Sequence, residues 1–159
     1  MEEAYLSTFN PSEKEEVKYL LEKEINDIEF ELDKNRFKVY KTSRSAKEIV
    51  DKNYLTNSFI VIKRFDELTG SYFKPIFQWL GRHSFENLKN IKNKLGFKSF
   101  RIVINDNNKM VSTHRRAVKA MERKISYETE MAVDRVNPDT EIWIMHTKDK
   151  FGFILFKIS

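Results

Sequence analysis

The sequence predicts an α/β (α+β) fold. Hydrophobic residues recur at a spacing of two in some segments, as in strands, and at three to four in others, as in helices. The 159 residues can bury a core in one medium domain or two small ones. Hydrophobic residues make up 40% of the chain and charged residues 33%, which is typical of globular proteins.

Residues 1–65 predict strands and helices in the order β-α-β-β-α-β. Tyr5 to Phe9 is a short β-prone run, and residues 10–13, Asn-Pro-Ser-Glu, carry the capping residues of a helix start. The later elements are a hairpin from Ile28 to Val39 with a turn at Asp33–Asn35, a helix from Ser45 to Tyr54 and a strand at Ser58–Arg64. This order is the ferredoxin-like arrangement, which we assign to residues 1–65.

Residues 66–83 follow neither periodicity. Gly70, Pro75 and Gly81 interrupt the segment. We interpret it as a connector between two halves of the chain. Its aromatic residues either pack the connector onto a core or form a platform on which bases stack. They are Tyr72, Phe73, Phe77 and Trp79.

Residues 84–159 predict a second α/β half. A helix begins at Ser84 and ends at Gly96, and a strand follows at Ser99–Ile104. After a loop at Asn105–Asn108 we expect a long helix from Met110 to Tyr127. The final strands are predicted at Met131–Arg135, Thr140–His146 and Phe151–Ile158. The chain stops directly after the last strand, so we expect it to be a piece of a longer protein.

Charge and composition limit the classes of function. The formal charge of +5 favours an anionic partner only weakly, because 24 acidic residues dilute 29 basic ones. The absence of cysteine excludes disulfides, thiolate zinc sites and cysteine nucleophiles. Neither a signal peptide nor a long apolar run is present, so we predict a cytoplasmic protein with no membrane partner.

The predicted helix at Met110–Tyr127 carries a cationic row, which consists of Arg115, Lys119 and Arg123 at intervals of four with Arg116 beside them. The row lies opposite an apolar stripe of Val111, His114, Val118, Met121 and Ile125. It spans roughly 12 Å, a length that suits neighbouring phosphates of an RNA strand. We predict an RNA-binding face made by the row and Arg101. The alternative is a solvated face whose cations pair with Glu122 and Glu128.

Residues for metal, cofactor or catalytic chemistry do not form recognisable groups. His83, His114 and His146 lie far apart, and we interpret His114 as a core residue rather than a ligand. The four glycines do not form a phosphate-binding loop. Asp134, Asp139 and Glu141 could form an acid/base pair, but no spacing singles them out. We assign no catalytic, cofactor-binding or metal-binding residue to this chain.

The order of elements resembles the THUMP domain with its N-terminal ferredoxin-like companion. The matching residues are the strand Phe100-Arg101-Ile102-Val103, the helix with Arg115-Arg116, and the run from Val136 to Ile144, in which the turn Asn137-Pro138-Asp139 enters a strand. Residues 137–139 also superficially resemble the Asn-Pro-Pro-aromatic loop of amino-methyltransferases, but the second proline and the aromatic are missing.

The resemblance implies tRNA binding, in particular at the acceptor region and its 3′ end. It further implies an S-adenosylmethionine-dependent methyltransferase that modifies guanine in tRNA or rRNA, with its catalytic domain C-terminal to this chain. The cofactor would then belong to the parent enzyme. An alternative is a standalone adaptor that delivers tRNA to a separate modifying enzyme. A third possibility is a protein-interaction domain that contacts its partner through the aromatic connector.

Overall fold

The structure, a computed structural model, describes residues 3–68 and 73–159. These residues divide into two compact units. The first unit contains residues 3–61 and 157–159, and the second contains the described part of residues 62–156. Each unit combines β-strands with helices, so the α+β class predicted from the sequence is confirmed.

The first unit follows the predicted order of strands and helices. Asn10 Oδ1 accepts a hydrogen bond from the Ser12 backbone N–H at 3.1 Å, and Pro11 opens a short helical turn. This cap starts the first helix where the sequence predicts it. The bounds are β1 (Glu3–Thr8), α1 (Lys14–Glu24), β2 (Glu29–Asp33), β3 (Phe37–Thr42), α2 (Ala46–Val50) and β4 (Asn57–Phe65), which continues into the second unit.

The strands of the first unit pair in the order β2-β3-β1-β4, and each pair is antiparallel. Tyr5 of β1 lies opposite Tyr40 of β3 and Ile60 of β4. All three side chains are buried, as are Leu21 of α1 and Ile49 of α2. The sheet and both helices therefore supply the core of this unit.

The second unit contains the remaining elements. Their bounds are α3 (Phe73–Arg82), α4 (Glu86–Leu95), β5 (Ser99–Asp106), β6 (Lys109–Val111), α5 (Arg115–Thr129), β7 (Ala132–Val133), β8 (Thr140–His146) and β9 (Gly152–Lys157). Within its described part, no helix has both the length and the apolar character that crossing a bilayer requires, and the same holds for the described part of the first unit.

The strands of the second unit pair in the order β9-β8-β5-β6, and β7 pairs with β5. β5 and β8 are parallel, with Phe100 opposite Thr140 and Asp106 opposite His146. α5 lies in the crossover that parallel strands require. Every residue of β8 is buried, which accounts for the almost continuous apolar run in that strand.

The predicted start of the long helix is wrong. Asn107 and Asn108 have φ values of 49° and 70°, which form a tight turn and return the chain as strand β6. Met110 and Val111 therefore pair with β5, and α5 begins only at Arg115. The apolar character of Met110 and Val111 fits a helical stripe and a strand equally well, and the hairpin decides between them.

The segment interpreted as a connector contains helix α3. Phe73, Ile76 and Leu80 are buried on one side of it, at the spacing of a helical stripe. Pro75 lies in the first turn, where a proline does not interrupt the helix. Gly70 and Tyr72 lie outside the described residues.

Two glycines of the second unit have structural roles. Gly96 takes a φ of 75° and caps α4, as the sequence predicts. Gly152 is the first residue of β9 and packs against the side chains of Leu68 and Ile76. A Cβ atom at this position would overlap the Leu68 side chain. The packing at the start of β9 therefore requires glycine.

Candidate nucleic-acid interface

Helix α5 has a buried side and a cationic side. Met121, Ile125 and Thr129 are buried, which confirms part of the predicted apolar stripe. The four cations of the predicted row are exposed: Arg115, Arg116, Lys119 and Arg123. None of the ion pairs within residues 3–68 and 73–159 includes a member of this row. Their positive charge is therefore available to an external anion.

The carboxylates expected to pair with the row bind other groups instead. Glu122 binds Arg135, with Nε···Oε2 and Nη2···Oε1 distances of 2.9 and 2.7 Å. Glu128 accepts a hydrogen bond from the Phe85 backbone N–H at 3.2 Å. The alternative of a face neutralised by Glu122 and Glu128 is therefore not what the structure shows.

A cleft of about 330 Å³ lies beside the row, between α5 and strands β5 and β6. Buried and half-buried apolar side chains form its floor, the exposed Arg115, Lys119 and Arg135 form its rim, and Ser112, Thr113 and Glu122 also line it. The floor residues are Ile102, Ile104, Val111 and Val118. An apolar floor with a cationic rim suits a ligand that combines a flat organic group with phosphate.

A second, more open groove of about 650 Å³ extends along the same face of α5. It shares Lys119 and Arg135 with the cleft and adds Arg123 and Tyr127. Tyr127 is 88% exposed, so its ring is accessible for stacking. The cleft and the groove both lie beside the cationic row and share residues. We call the first of them, with the apolar floor, the α5 cleft.

Arg101, the other predicted RNA-binding residue, is engaged in a network at the β5 end of this region. Its Nε donates to Glu141 Oε2 at 2.6 Å, and its Nη1 donates to the Arg135 carbonyl at 3.4 Å. Glu141 also accepts a hydrogen bond from Trp143 Nε1 at 3.0 Å. Arg101 thus holds the loop after β7 in place, and its predicted contact with RNA stays a prediction.

The acidic residues of the loop at 134–139 stabilise its backbone. Asp134 Oδ1 accepts hydrogen bonds from the backbone N–H groups of Asn137 and Val136 at 2.9 and 3.0 Å. These bonds lower the pKa of Asp134. Asp139 accepts from the Lys98 backbone N–H at 2.7 Å. Asp134 therefore stabilises the turn before Pro138, and Asp139 joins this loop to the residue that precedes β5.

The interpretation of His114 as a core residue is wrong. His114 is exposed at the N-cap of α5 with a φ of 59°, and its ring contacts Phe73 and Phe77 at centroid distances of 5.3 and 5.6 Å. His146 is buried, with Nδ1 at 3.1 Å from Asp106 Oδ1. Among the described residues, no group of three His, Cys, Asp or Glu side chains could hold a metal ion.

The aromatic residues of α3 make contacts inside the second unit. Trp79 packs edge-on against Phe65 and Phe85, with centroid distances of 6.4 and 6.3 Å, and stacks on His83 at 4.0 Å. These contacts support the packing interpretation of the aromatic cluster over a base-stacking platform.

The sequence prediction missed Arg135 and the structural role of Glu122. Arg135 follows strand β7, while Glu122 lies on the buried side of α5. Their pairing brings together residues from two elements that only the fold places in contact. No periodicity within either segment indicates it.

No protein-family model and no curated protein matches the sequence. The structure is similar to solved structures at low sequence identity. The protein TrmN from Thermus thermophilus matches with a TM-score of 0.69 and 13% identity over 100% of this chain and 46% of that chain. A predicted N6-adenine-specific DNA methylase from Listeria monocytogenes matches with a TM-score of 0.64 and 9% identity over 99% of this chain and 40% of that one.

A 4-thiouridine synthetase in complex with RNA and bound ATP is also similar, with a TM-score of 0.60 and 12% identity over 99% of this chain and 41% of that one. At these identities the likeness establishes a shared fold. The chain spans less than half the length of each of these structures. The descriptions of two of them name different reactions: one is a methylase and the other a 4-thiouridine synthetase.

Proposed function

We propose that this chain binds RNA, with tRNA as the preferred class, and presents it to a catalytic domain that modifies the RNA. The observation that carries the proposal is the exposed cationic row of α5 beside a cleft with an apolar floor. The row has no carboxylate partner among the described residues, so RNA phosphates can neutralise it without displacing an existing ion pair.

Similarity to the structures above supports a role in nucleic-acid modification, and the RNA in one of them favours RNA as the nucleic acid. One of them is a 4-thiouridine synthetase bound to RNA, and another is described as a DNA methylase. We propose that residues 84–159 are a THUMP-like RNA-binding domain, that residues 66–83 are a connector, and that residues 1–65 are a ferredoxin-like domain. The strand order β2-β3-β1-β4 and the antiparallel pairing of the first unit support the last assignment.

The parent enzyme in this proposal is an S-adenosylmethionine-dependent methyltransferase, and the cofactor binds to its catalytic domain. Reading the gene beyond codon 159 tests this part. We expect an adenosyl-binding loop and an Asn/Asp-Pro-Pro-aromatic motif. A downstream domain of another chemistry would contradict the methyltransferase and leave the RNA-binding role intact.

The RNA-binding role is tested by measuring tRNA affinity over a series of salt concentrations. In one variant Arg115, Arg116, Lys119 and Arg123 are all changed to alanine. Each lost phosphate contact lowers the slope of log affinity against log salt by about 0.7 to 0.9, so we expect the loss of four contacts to lower it by up to about 3.6. Thermal unfolding followed by circular dichroism confirms that the variant is folded.

A matched control removes the same charge from other exposed positions: Arg36, Lys47, Lys74 and Lys148. We expect this control to change the slope by less than about 1, because its cations do not form a row on one helix face. Equal slopes for the two variants would show that net charge rather than the α5 row binds RNA.

A further inference from the structure

A buried carboxylate holds an exposed arginine at the edge of the α5 cleft. Glu122 is only 4% exposed, whereas the Arg135 side chain is 64% exposed. Glu122 binds the Nε–H and one N–H of Nη2 of Arg135. This hydrogen bonding raises the pKa of Arg135.

We infer that Arg135 is a further phosphate-binding residue of the cleft and that Glu122 positions it; the inference rests on the RNA-binding role proposed above. A guanidinium can bind two partners at once along its different edges. Glu122 occupies the edge formed by Nε and Nη2. The N–H groups of Nη1 and the second N–H of Nη2 remain for an anion on the exposed side.

The backbone of Arg135 is fixed as well. Its carbonyl accepts the hydrogen bond from Arg101 Nη1, and the preceding Asp134 donates its backbone N–H to the Phe100 carbonyl at 2.9 Å. Asp134 also caps the turn that follows. Arg135 is therefore held at its main chain by β5 and at its side chain by α5, while most of its surface stays exposed.

Positioning of this kind favours binding because the side chain is ordered before RNA arrives. A free arginine side chain loses rotamer entropy when it binds a phosphate, whereas Arg135 has already lost much of it in the folded protein. Burying Glu122 opposes folding, since a carboxylate loses its hydration there. An apolar residue would fill the same place on α5 at lower cost, so the charged pair is explained by what it does for Arg135.

The position of Arg135 also widens the binding surface. Lys119 and Glu122 of α5 and Arg135 of the loop after β7 line both the cleft and the open groove. A phosphate in the cleft can therefore contact the cationic row on one side and Arg135 on the other. Binding from two sides restricts the orientation of the strand more than a single helix face does.

The variant Glu122→Gln gives the decisive test because the two explanations predict opposite signs. If only net charge matters, removal of a negative charge beside the cleft tightens tRNA binding. If Glu122 positions Arg135, the same variant binds tRNA about five- to tenfold more weakly, the loss expected when a long side chain must be ordered on binding. The measurement is tRNA affinity by fluorescence anisotropy at fixed low salt.

Two further variants establish that Glu122 acts through Arg135. We expect Arg135→Gln to weaken binding by about tenfold, as for a lost charge-assisted hydrogen bond. The double variant Glu122→Gln/Arg135→Gln keeps two amides that can pair in the folded protein. It should bind tRNA as Arg135→Gln does, since Glu122 has nothing left to position. The control Glu86→Gln removes one exposed acidic charge from α4 and should leave affinity unchanged or slightly higher.

Tighter or unchanged binding by a folded Glu122→Gln would overturn the inference, and so would a double variant weaker than Arg135→Gln. If Glu122→Gln does not fold, the double variant and Arg135→Gln still test the inference. It requires that both bind tRNA more weakly than wild type and that their affinities are equal. Failure of the proposed function is distinct: in that case wild-type protein and the α5 alanine variant show the same salt dependence.

Discussion

Helices α1 and α5 both carry many charges, but they use them differently. α1 contains four glutamates and three lysines, and three of these seven charged side chains have partners within the first unit. Lys18 Nζ lies 3.6 Å from Asp33 Oδ2, and Lys52 Nζ lies 2.6 Å from Glu24 Oε1. Lys14 Nζ donates a hydrogen bond to Asn35 Oδ1 at 3.3 Å. On α5, the carboxylate of Glu122 binds Arg135, and the cationic row has no carboxylate partner among the described residues.

The comparison shows that the number of charges does not identify a binding surface. A helix face whose cations already pair with neighbouring carboxylates gains little from an external anion, because each new contact replaces an old one. When the neighbouring carboxylates bind other groups, a row of cations can bind an external anion without giving up an existing ion pair, so the new contact contributes fully to the binding free energy. Each helix carries seven charges, but α1 has four acidic and three basic residues whereas α5 has two acidic and five basic ones, so the helices differ in net charge as well as in pairing.

The largest expected effect comes from reversing charge on α5. The variant Lys119→Glu/Arg123→Glu should weaken tRNA binding on the order of 100-fold at low salt, since it places like charges against phosphates. Its counterpart on α1, Lys18→Glu/Lys23→Glu, makes the same change in net charge. We expect less than about a threefold change for that variant. Similar losses in both, measured by fluorescence anisotropy, would remove the distinction between the helices.

A smaller effect is expected from a substitution that changes the stability of the second unit without changing its tRNA affinity. Gly152→Ala should lower the free energy of unfolding by about 1–3 kcal/mol, because the new methyl group overlaps Leu68. Chemical denaturation measures this change. Below the unfolding transition, tRNA affinity should stay within about twofold of wild type, since no contact of the α5 row is altered.

Gly81→Ala is the matched control for the Gly152 substitution. Apart from the neighbouring residues and the backbone of α3 itself, no heavy atom of the described residues lies within 4 Å of a Cβ at Gly81, so alanine should leave stability unchanged or raise it by about 0.5–1 kcal/mol. Equal destabilisation by both substitutions would show that packing at β9 is not the cause.

The smallest effect concerns Asp27 in the first unit. Hydrogen bonds from Ser43 and Thr42 lower the pKa of Asp27 from 3.8 to about 2. A lowered folded-state pKa stabilises the protein above the unfolded value, and this contribution disappears as pH falls from about 4 to 2. Asp27→Asn should therefore be less stable than wild type at neutral pH, and the two should converge near pH 2.

Denaturation curves at several pH values check the Asp27 prediction, and a stability difference independent of pH would contradict it. The tRNA salt slope should be unchanged in Asp27→Asn. The first unit would then change stability without changing RNA binding, which is the opposite of what we expect for the α5 row.

Local signals in the sequence predicted much of the fold. The cap at Asn10, the Gly96 helix end and the apolar runs of β4 and β8 each depend on neighbours in the chain, and the structure has these elements near the predicted positions. The cationic row was predictable because a spacing of four places side chains on one helix face.

Other features depend on contacts between distant segments. The sequence pattern places Met110 and Val111 on a helical stripe, but in the structure the turn at Asn107–Asn108 pairs them with β5. Because α5 then begins later, His114 lies at its N-cap rather than within the helix. The Glu122–Arg135 pair joins α5 to the loop after β7. Such contacts follow from the fold and leave no periodicity in either segment.

We propose that the exposed face of α5 contacts RNA, and because the chain contains no cysteine, a single introduced thiol can report on that face. Ala120→Cys places a thiol among Arg116, Lys119 and Arg123 without removing a cation, and Glu16→Cys places one on the exposed face of α1. Each variant is alkylated with iodoacetamide in the presence and absence of saturating tRNA. We predict that tRNA slows modification of the α5 thiol about tenfold or more and leaves the α1 thiol unaffected. Unchanged modification of the α5 thiol, while tRNA is still bound, would contradict the account.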